Sequence, residues 1–247
     1  MRRRLLSLTT LFALILASLI VLTGCGISFQ STDENHDEQA VQMLEEIYDD
    51  DFEFVEKEQF GFGGPFDGVG YELTLKSKKF PNKDIKMTYY YDQDTKEDTL
   101  SRSNYNFIRF EEKVYEKLNI LADIYQDYKI QISTTDPKHS SVEISNCSFE
   151  EYISSENDME VVICLPPSVN SENKGEDIQK LQVLLKENKI LIGGNIKIYY
   201  VNDEQYFDEI DEKNINEYEL SQGKYICGSF YMNEDYEWEN YSRWINE

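Results

Sequence analysis

The chain has 247 residues, with 48 acidic side chains against 24 basic ones, two histidines and a formal net charge of −24. So acidic a surface repels nucleic acid, anionic lipid headgroups and phosphate-bearing wall polymers, which argues against a nucleic-acid role. The charge suits cations, basic peptides or simply solubility beside an anionic membrane, and the length allows one large domain or two small ones with a real core.

Residues 1–25 carry the sharpest pattern. Arg2, Arg3 and Arg4 precede an apolar run over 5–22, and Leu22-Thr23-Gly24-Cys25 follows at once. A basic start, a short apolar core and small residues at a cut define a secretory signal, whose basic end stays cytoplasmic. The run includes Ser7, Thr9, Thr10 and Ser18, and a membrane span takes about 20 apolar residues, so a plain transmembrane anchor is the alternative. The segment resembles the signal peptide and lipobox of bacterial lipoproteins. That resemblance implies cleavage between Gly24 and Cys25, diacylglyceryl transfer to the Cys25 thiol, and a chain tethered to the outer face of the cytoplasmic membrane. Two acyl chains suffice for stable anchoring, since each buried methylene contributes about 0.8 kcal/mol. The leader, 1–24, holds three of the basic residues and no acidic one, so residues 25–247 carry −27. Richness in Lys, Asn, Ile, Glu and Tyr is similar to that of low-GC Gram-positive organisms.

Residues 25–36 are polar and read as a flexible tether. From 37 the spacing of Ala40, Val41, Leu44, Ile47 and Tyr48 predicts a helix. Alternation predicts strands over 51–57, 69–76 and 85–91, with Phe52, Phe54 and Glu56 sharing one face of the first. Phe107, Phe110, Val114, Leu118, Leu121 and Tyr125 form the stripe of a long helix over 104–127, and a strand follows over 128–133. Polar residues broken by Pro137 mark a boundary over 134–141. Thereafter the pattern predicts a strand at 142–147, a short helix at 149–154, a strand at 159–165 ended by Pro166-Pro167, and a helix over 176–188. Residues 189–201 read as a hairpin turning at Gly193-Gly194 or as a loop feeding one strand over 196–201. A last strand over 224–232 pairs with 217–220 or stands alone, and Trp238 and Trp244 are placed to dock on the core.

Adjacent strands beside helices predict an α+β fold with a largely antiparallel sheet packed against two or three main helices. The organisation is a signal peptide over 1–24, a tether over 25–36, an α+β module over 37–133 and a second over 142–247, possible as one continuous domain. The helix–three strands–helix order is similar to that of many uncharacterised exported lipoproteins of Gram-positive bacteria, a resemblance that implies no activity.

No stretch completes a catalytic or ligand motif. Residues 60–70 hold five of the twelve glycines, but Gly63 and Gly68 are followed by Val69-Gly70 and a strand, whereas a phosphate loop needs a lysine and a helix. Asp92, Asp94 and Asp98 begin like a calcium loop, yet Glu97 and Ser103 stand where an EF-hand needs Gly and Glu; 203–212 is acidic without ligand spacing. Cys147, Cys164 and Cys227 allow one disulfide in an exported chain. With His36 and His139 in polar stretches and no Cys-x-x-Cys, a Cys/His metal site is disfavoured. A Ser/His/Asp triad lacks its nucleophile motif, and 48 carboxylates guarantee pairs without singling any out.

The reading is a lipid-anchored extracytoplasmic lipoprotein that acts as a non-enzymatic binding protein of the cell envelope, with a protein, peptide or wall-glycan partner. It assigns no catalytic residue, cofactor or metal. The alternatives are a surface hydrolase using paired carboxylates and a solute-binding component of a transporter. Tyr89-Tyr90-Tyr91 and Tyr199-Tyr200 put rings on both faces of their strands, where an exposed ring offers a stacking surface to a ligand or simply serves as a strand former.

Overall fold

Helix α1, His36–Tyr48, buries Ala40, Leu44 and Tyr48 in one stripe, four residues apart. Asp37 and Glu38 occupy its first turn, where the helix dipole favours carboxylates. In this computed structural model the described residues are 36–61, 69–92, 97–136, 144–155, 157–211, 215, 225–239 and 244–245. Strands β1 (Phe52–Gly61), β2 (Val69–Ser77), β3 (Asp84–Asp92) and β4 (Glu97–Ser103) follow as an antiparallel meander in the order β1-β2-β3-β4. Tyr71, Leu73 and Leu75 of β2 and Ile85, Met87 and Tyr89 of β3 alternate onto one face, which α1 covers. Each such fully buried side chain contributes about 1.5–3 kcal/mol.

β1 departs from simple alternation. Phe54 opposes Leu75 and Glu56 opposes Thr74, which leaves Val55 as an extra, bulged residue. The two faces therefore exchange within the strand. Phe52 and Phe54 share the core side, but beyond the bulge Lys57 and Gln59 take it, opposite Leu73 and Tyr71. Lys57 accordingly lies 4.8 Å over the Tyr71 ring and pairs with Asp37 at 2.9 Å. Glu56, expected beside the phenylalanines, lies on the opposite face.

Helix α2, Tyr105–Leu118, tightens into a 3₁₀ turn at Asn119–Asp123, so the expected helix over 104–127 is shorter than its apolar stripe. It serves two cores. Tyr105 and Ile108 join α1 and the first sheet, while Phe107, Phe110, Val114 and Leu118 join the second. That second sheet runs in the order β5 (Lys129–Thr134), β6 (Met159–Leu165), β7 (Ile196–Val201), β8 (Tyr225–Met232) and β9 (Trp238–Glu239). β5, grouped with the first module by sequence, pairs antiparallel with β6. β6 and β7 are parallel, joined through helix α4, Lys174–Glu187, as a parallel pair requires.

Helix α3, Phe149–Ser154, packs with α2 and α4 on one face of this sheet. On the other, Val162, Cys164, Tyr199 and Cys227 meet Phe207 of helix α5, Glu204–Glu209, and Ile215. Two-sided burial explains why β6 and β7 read as near-continuous apolar runs. Residues 144–147, expected within the strand over 142–147, have no regular structure. They are held instead by single bonds, Ile144 N–H to the Ser101 carbonyl at 3.2 Å and Asn106 Nδ2 to the Ser145 carbonyl at 2.8 Å. Ser148 then opens α3 with a capping box to Glu151.

Gly193 and Gly194 lie in a loop that feeds β7, not in a hairpin. A Cβ on Gly193 would collide with the Asn157 carbonyl, and one on Gly194 with the Met159 carbonyl. Trp238 and Trp244 do pack against the second core; Trp244 lies across Gly228 and 5.9 Å from the Tyr200 ring. The protein is thus α+β, with five helices among the described residues packed against two mostly antiparallel sheets, and His36–Glu247 form one compact unit. Among the described residues no helix is long and apolar enough to cross a membrane.

Candidate functional site

Gly24, Cys25 and His139 lie outside the described residues, and His36 is the first residue of α1. Of the glycine-rich stretch, Phe60, Gly61, Val69 and Gly70 are the paired ends of β1 and β2, and 62–68 lie outside the described residues. Asp92 closes β3, Glu97 and Asp98 open β4, and 93–96 are likewise outside. Residues 217–220, the expected partner of the last strand, are outside too.

Cys147, Cys164 and Cys227 form no disulfide among the described residues. Cys164 and Cys227 face the same way but flank Tyr199 in the register, so a whole strand separates them. At about 4.8 Å per strand that is roughly 9.6 Å, beyond disulfide reach. Among the described residues no three His, Cys, Asp or Glu side chains are placed to hold a metal ion.

The acidic residues concentrate where α1 gives way to β1. Asp49 ends the helix in the left-handed region, φ 49°, which turns the chain sharply and separates its neighbours. Asp50 points inward; Asp51 points outward to an exposed pair with Lys78 at 2.8 Å. The Asp50 carboxylate accepts from the Ser77 hydroxyl, the Tyr105 hydroxyl and the Asp51 N–H. Burial alone would raise its proton affinity. These three donors, with the Lys79 ammonium, outweigh that and hold the carboxyl below the ordinary range. Burial and the adjoining Asp50 carboxylate together push the Tyr105 phenol up. Glu45 turns back to accept from the Phe52 N–H at 3.1 Å. The result is a depression of about 570 Å³ walled by Glu45, Glu46, Asp49, Asp50 and Asp51, with Gln42 and two lysines, Lys78 and Lys79, at its margin. Chemically it is a shallow, acidic, solvent-open surface built on a rigid turn, suited to hold a cationic group. A second depression, about 390 Å³, lies beside the β8–β9 turn and is lined by Leu191, Tyr231, Met232 and Glu234 among others.

A different carboxyl has the proton affinity expected of a general acid. Burial pushes Asp158 up to about 6, partly offset by the Tyr152 hydroxyl donating at 3.0 Å. Asp158 is 6% exposed and lines neither depression. It acts on the buried Tyr48 hydroxyl, which has no hydrogen-bond partner among the described residues; Cys147 acts on the same hydroxyl, and its own thiol is pushed up by burial and partly drawn back by Arg109. Arg109 lies 4.9 Å over the Phe110 ring and bonds the side-chain carbonyls of Asn106 and Asn146 at 3.0 and 2.9 Å. Asp177 is a third buried aspartate, bonded by the Tyr200 hydroxyl at 3.0 Å. None of the three aspartates stands out in the sequence; burial singles them out, and only Asp158, directly before an apolar strand, had a local cue.

No family model matches the chain, and no curated protein matches it. Among solved structures, the chain is similar to a DUF5037 family protein from Ruminococcus gnavus ATCC 29149, with a TM-score of 0.37 and 16% sequence identity, covering 82% of this chain and 94% of that one. A likeness of that degree carries no argument about fold or function.

Proposed function

We propose that the protein is a lipid-anchored, extracytoplasmic binding protein of the cell envelope, held to the outer face of the cytoplasmic membrane through Cys25. The observation that carries this reading is Leu22-Thr23-Gly24-Cys25 directly after a basic start and an apolar run. Residues 26–35 then supply a polar stretch of ten residues before α1 begins at His36. The acidic depression at the α1–β1 turn supports a binding role, and it favours a cationic partner over wall polymers or nucleic acid. Incorporation of labelled palmitate tests the anchor. The native chain is expected to take up label and Cys25→Ala to lose it; label retained by that variant overturns the anchor.

A further inference from the structure

We propose that the outer edge of β1 docks an extended, basic peptide segment of an envelope protein by adding it as a fifth strand to the first sheet. This rests on the binding role above and names its surface and partner class. β1 ends its sheet, so among the described residues no strand pairs with its outer side. It is also the longest described strand, at ten residues. Charge and a bulge protect such an edge against indiscriminate pairing, and because three of the four charges on β1, Glu53, Glu56 and Glu58, are acidic, that protection is selective and leaves a basic strand able to add. Here residues 53–59 are exposed on both faces. Phe54 and Val55, side by side at the bulge, are 46% and 51% exposed.

Charge identifies the occupant. Residues 45–58 hold eight acidic side chains and one basic one, Lys57, which is paired with Asp37. A second copy of β1 would set these carboxylates against their own kind, which destabilises a strand pair. Anionic lipid and wall phosphate meet the same repulsion. A segment that alternates Lys or Arg with apolar residues places its cations toward Glu53 and Glu56 and its apolar side chains against Phe54 and Val55. Main-chain hydrogen bonds supply the affinity, as in other strand additions.

The test uses the full-length chain in detergent micelles and a fluorescent peptide of alternating Lys and Val, about nine residues long to match the edge. Binding is expected to be saturable and to weaken about tenfold between about 50 and 500 mM salt. A proline at the central valine keeps the charge but removes a ladder donor, and is expected to weaken binding about tenfold. The double variant Glu53→Lys/Glu56→Lys, at exposed positions, is expected to weaken it similarly without moving Tm. Equal binding of the proline peptide overturns strand addition, and undiminished binding to the double variant overturns the β1 surface. Photo-crosslinking residues placed in cells at position 55, and at position 183 on α4, separate this from the broader reading. An envelope protein captured at 55 through a basic segment supports the proposal. Capture at 183 alone overturns the β1 surface while the binding role stands, and capture at neither overturns both.

Discussion

The side-chain amide of Asn157 donates to the Leu191 carbonyl at 2.7 Å, joining segments 34 residues apart. The same amide reaches the Tyr152 carbonyl at 3.1 Å, and its oxygen accepts from the N–H groups of Met159 and Gly193, both at 3.1 Å. One buried side chain thus ties α3, the start of β6 and the loop entering β7. Replacing Asn157 by Ala strands several buried backbone groups, each costing about 1–3 kcal/mol when left unmade. We expect a loss of roughly 3 kcal/mol in urea unfolding. Gly194→Ala is expected to cost about 2–3 kcal/mol, because its methyl would meet the Met159 backbone, which cannot yield. A change under about 0.5 kcal/mol in either variant, the size of an ordinary surface substitution, would refute this account of the loop.

Two buried aspartates should respond to pH with opposite signs. Asp50 binds its proton more weakly in the folded state than its ordinary value of 3.8. Its contribution is therefore complete above that value and is lost as pH falls through the lower folded value. The stability advantage of the native chain over Asp50→Asn should shrink below about pH 4. Asp158 binds its proton more tightly, with its value raised from 3.8 to about 6. Ionised Asp158 opposes folding above pH 6, and the penalty is relieved as pH falls from 6 toward 3.8. Relative to Asp158→Asn, the native chain should gain on the order of 2 kcal/mol between about pH 7 and pH 4. Unfolding curves at several pH values for the three proteins check both slopes, and parallel curves would show that neither group is coupled to folding.

Thiol counting reads the fold and the anchor together. Cys164 and Cys227 are buried and Cys147 is half-buried with a raised thiol. Of these three, native protein should expose at most one, slowly reacting, to a disulfide reagent. In denaturant the chain, which has four cysteines, should release four thiols if Cys25 is unmodified and three if it is alkylated. Two fewer than either figure would mean that a disulfide has formed.

Legibility in the sequence followed burial. β6 and β7 were plain because both of their faces are covered, so nearly every residue is apolar. The α2 stripe was equally plain, but its division between two cores was not, since Tyr105 and Ile108 look like extensions of one pattern. β4 escaped notice because Leu100 is the one apolar side chain in Glu97–Ser103. α5 did so because Glu204–Glu209 reads as one more acidic turn, although Asp203 caps it through the Tyr206 N–H at 2.9 Å. The bulge at Val55 left no trace, as one inserted residue changes which face a side chain takes without changing composition. The buried aspartates were hidden for the opposite reason: among 48 acidic residues, nothing local separates a carboxylate held by Ser77 and Tyr105 from one in water.

α2 makes the chain divisible in hydrogen bonding and indivisible in packing. Each sheet closes its own ladder, yet removing either would bare one flank of the same helix to solvent. Thermal melting should therefore be a single transition whose calorimetric and van't Hoff enthalpies agree. It also means that neither half is a transferable part: a gene segment carrying one sheet into another protein would have to bring α2 along, and the half left behind would have lost a wall of its core.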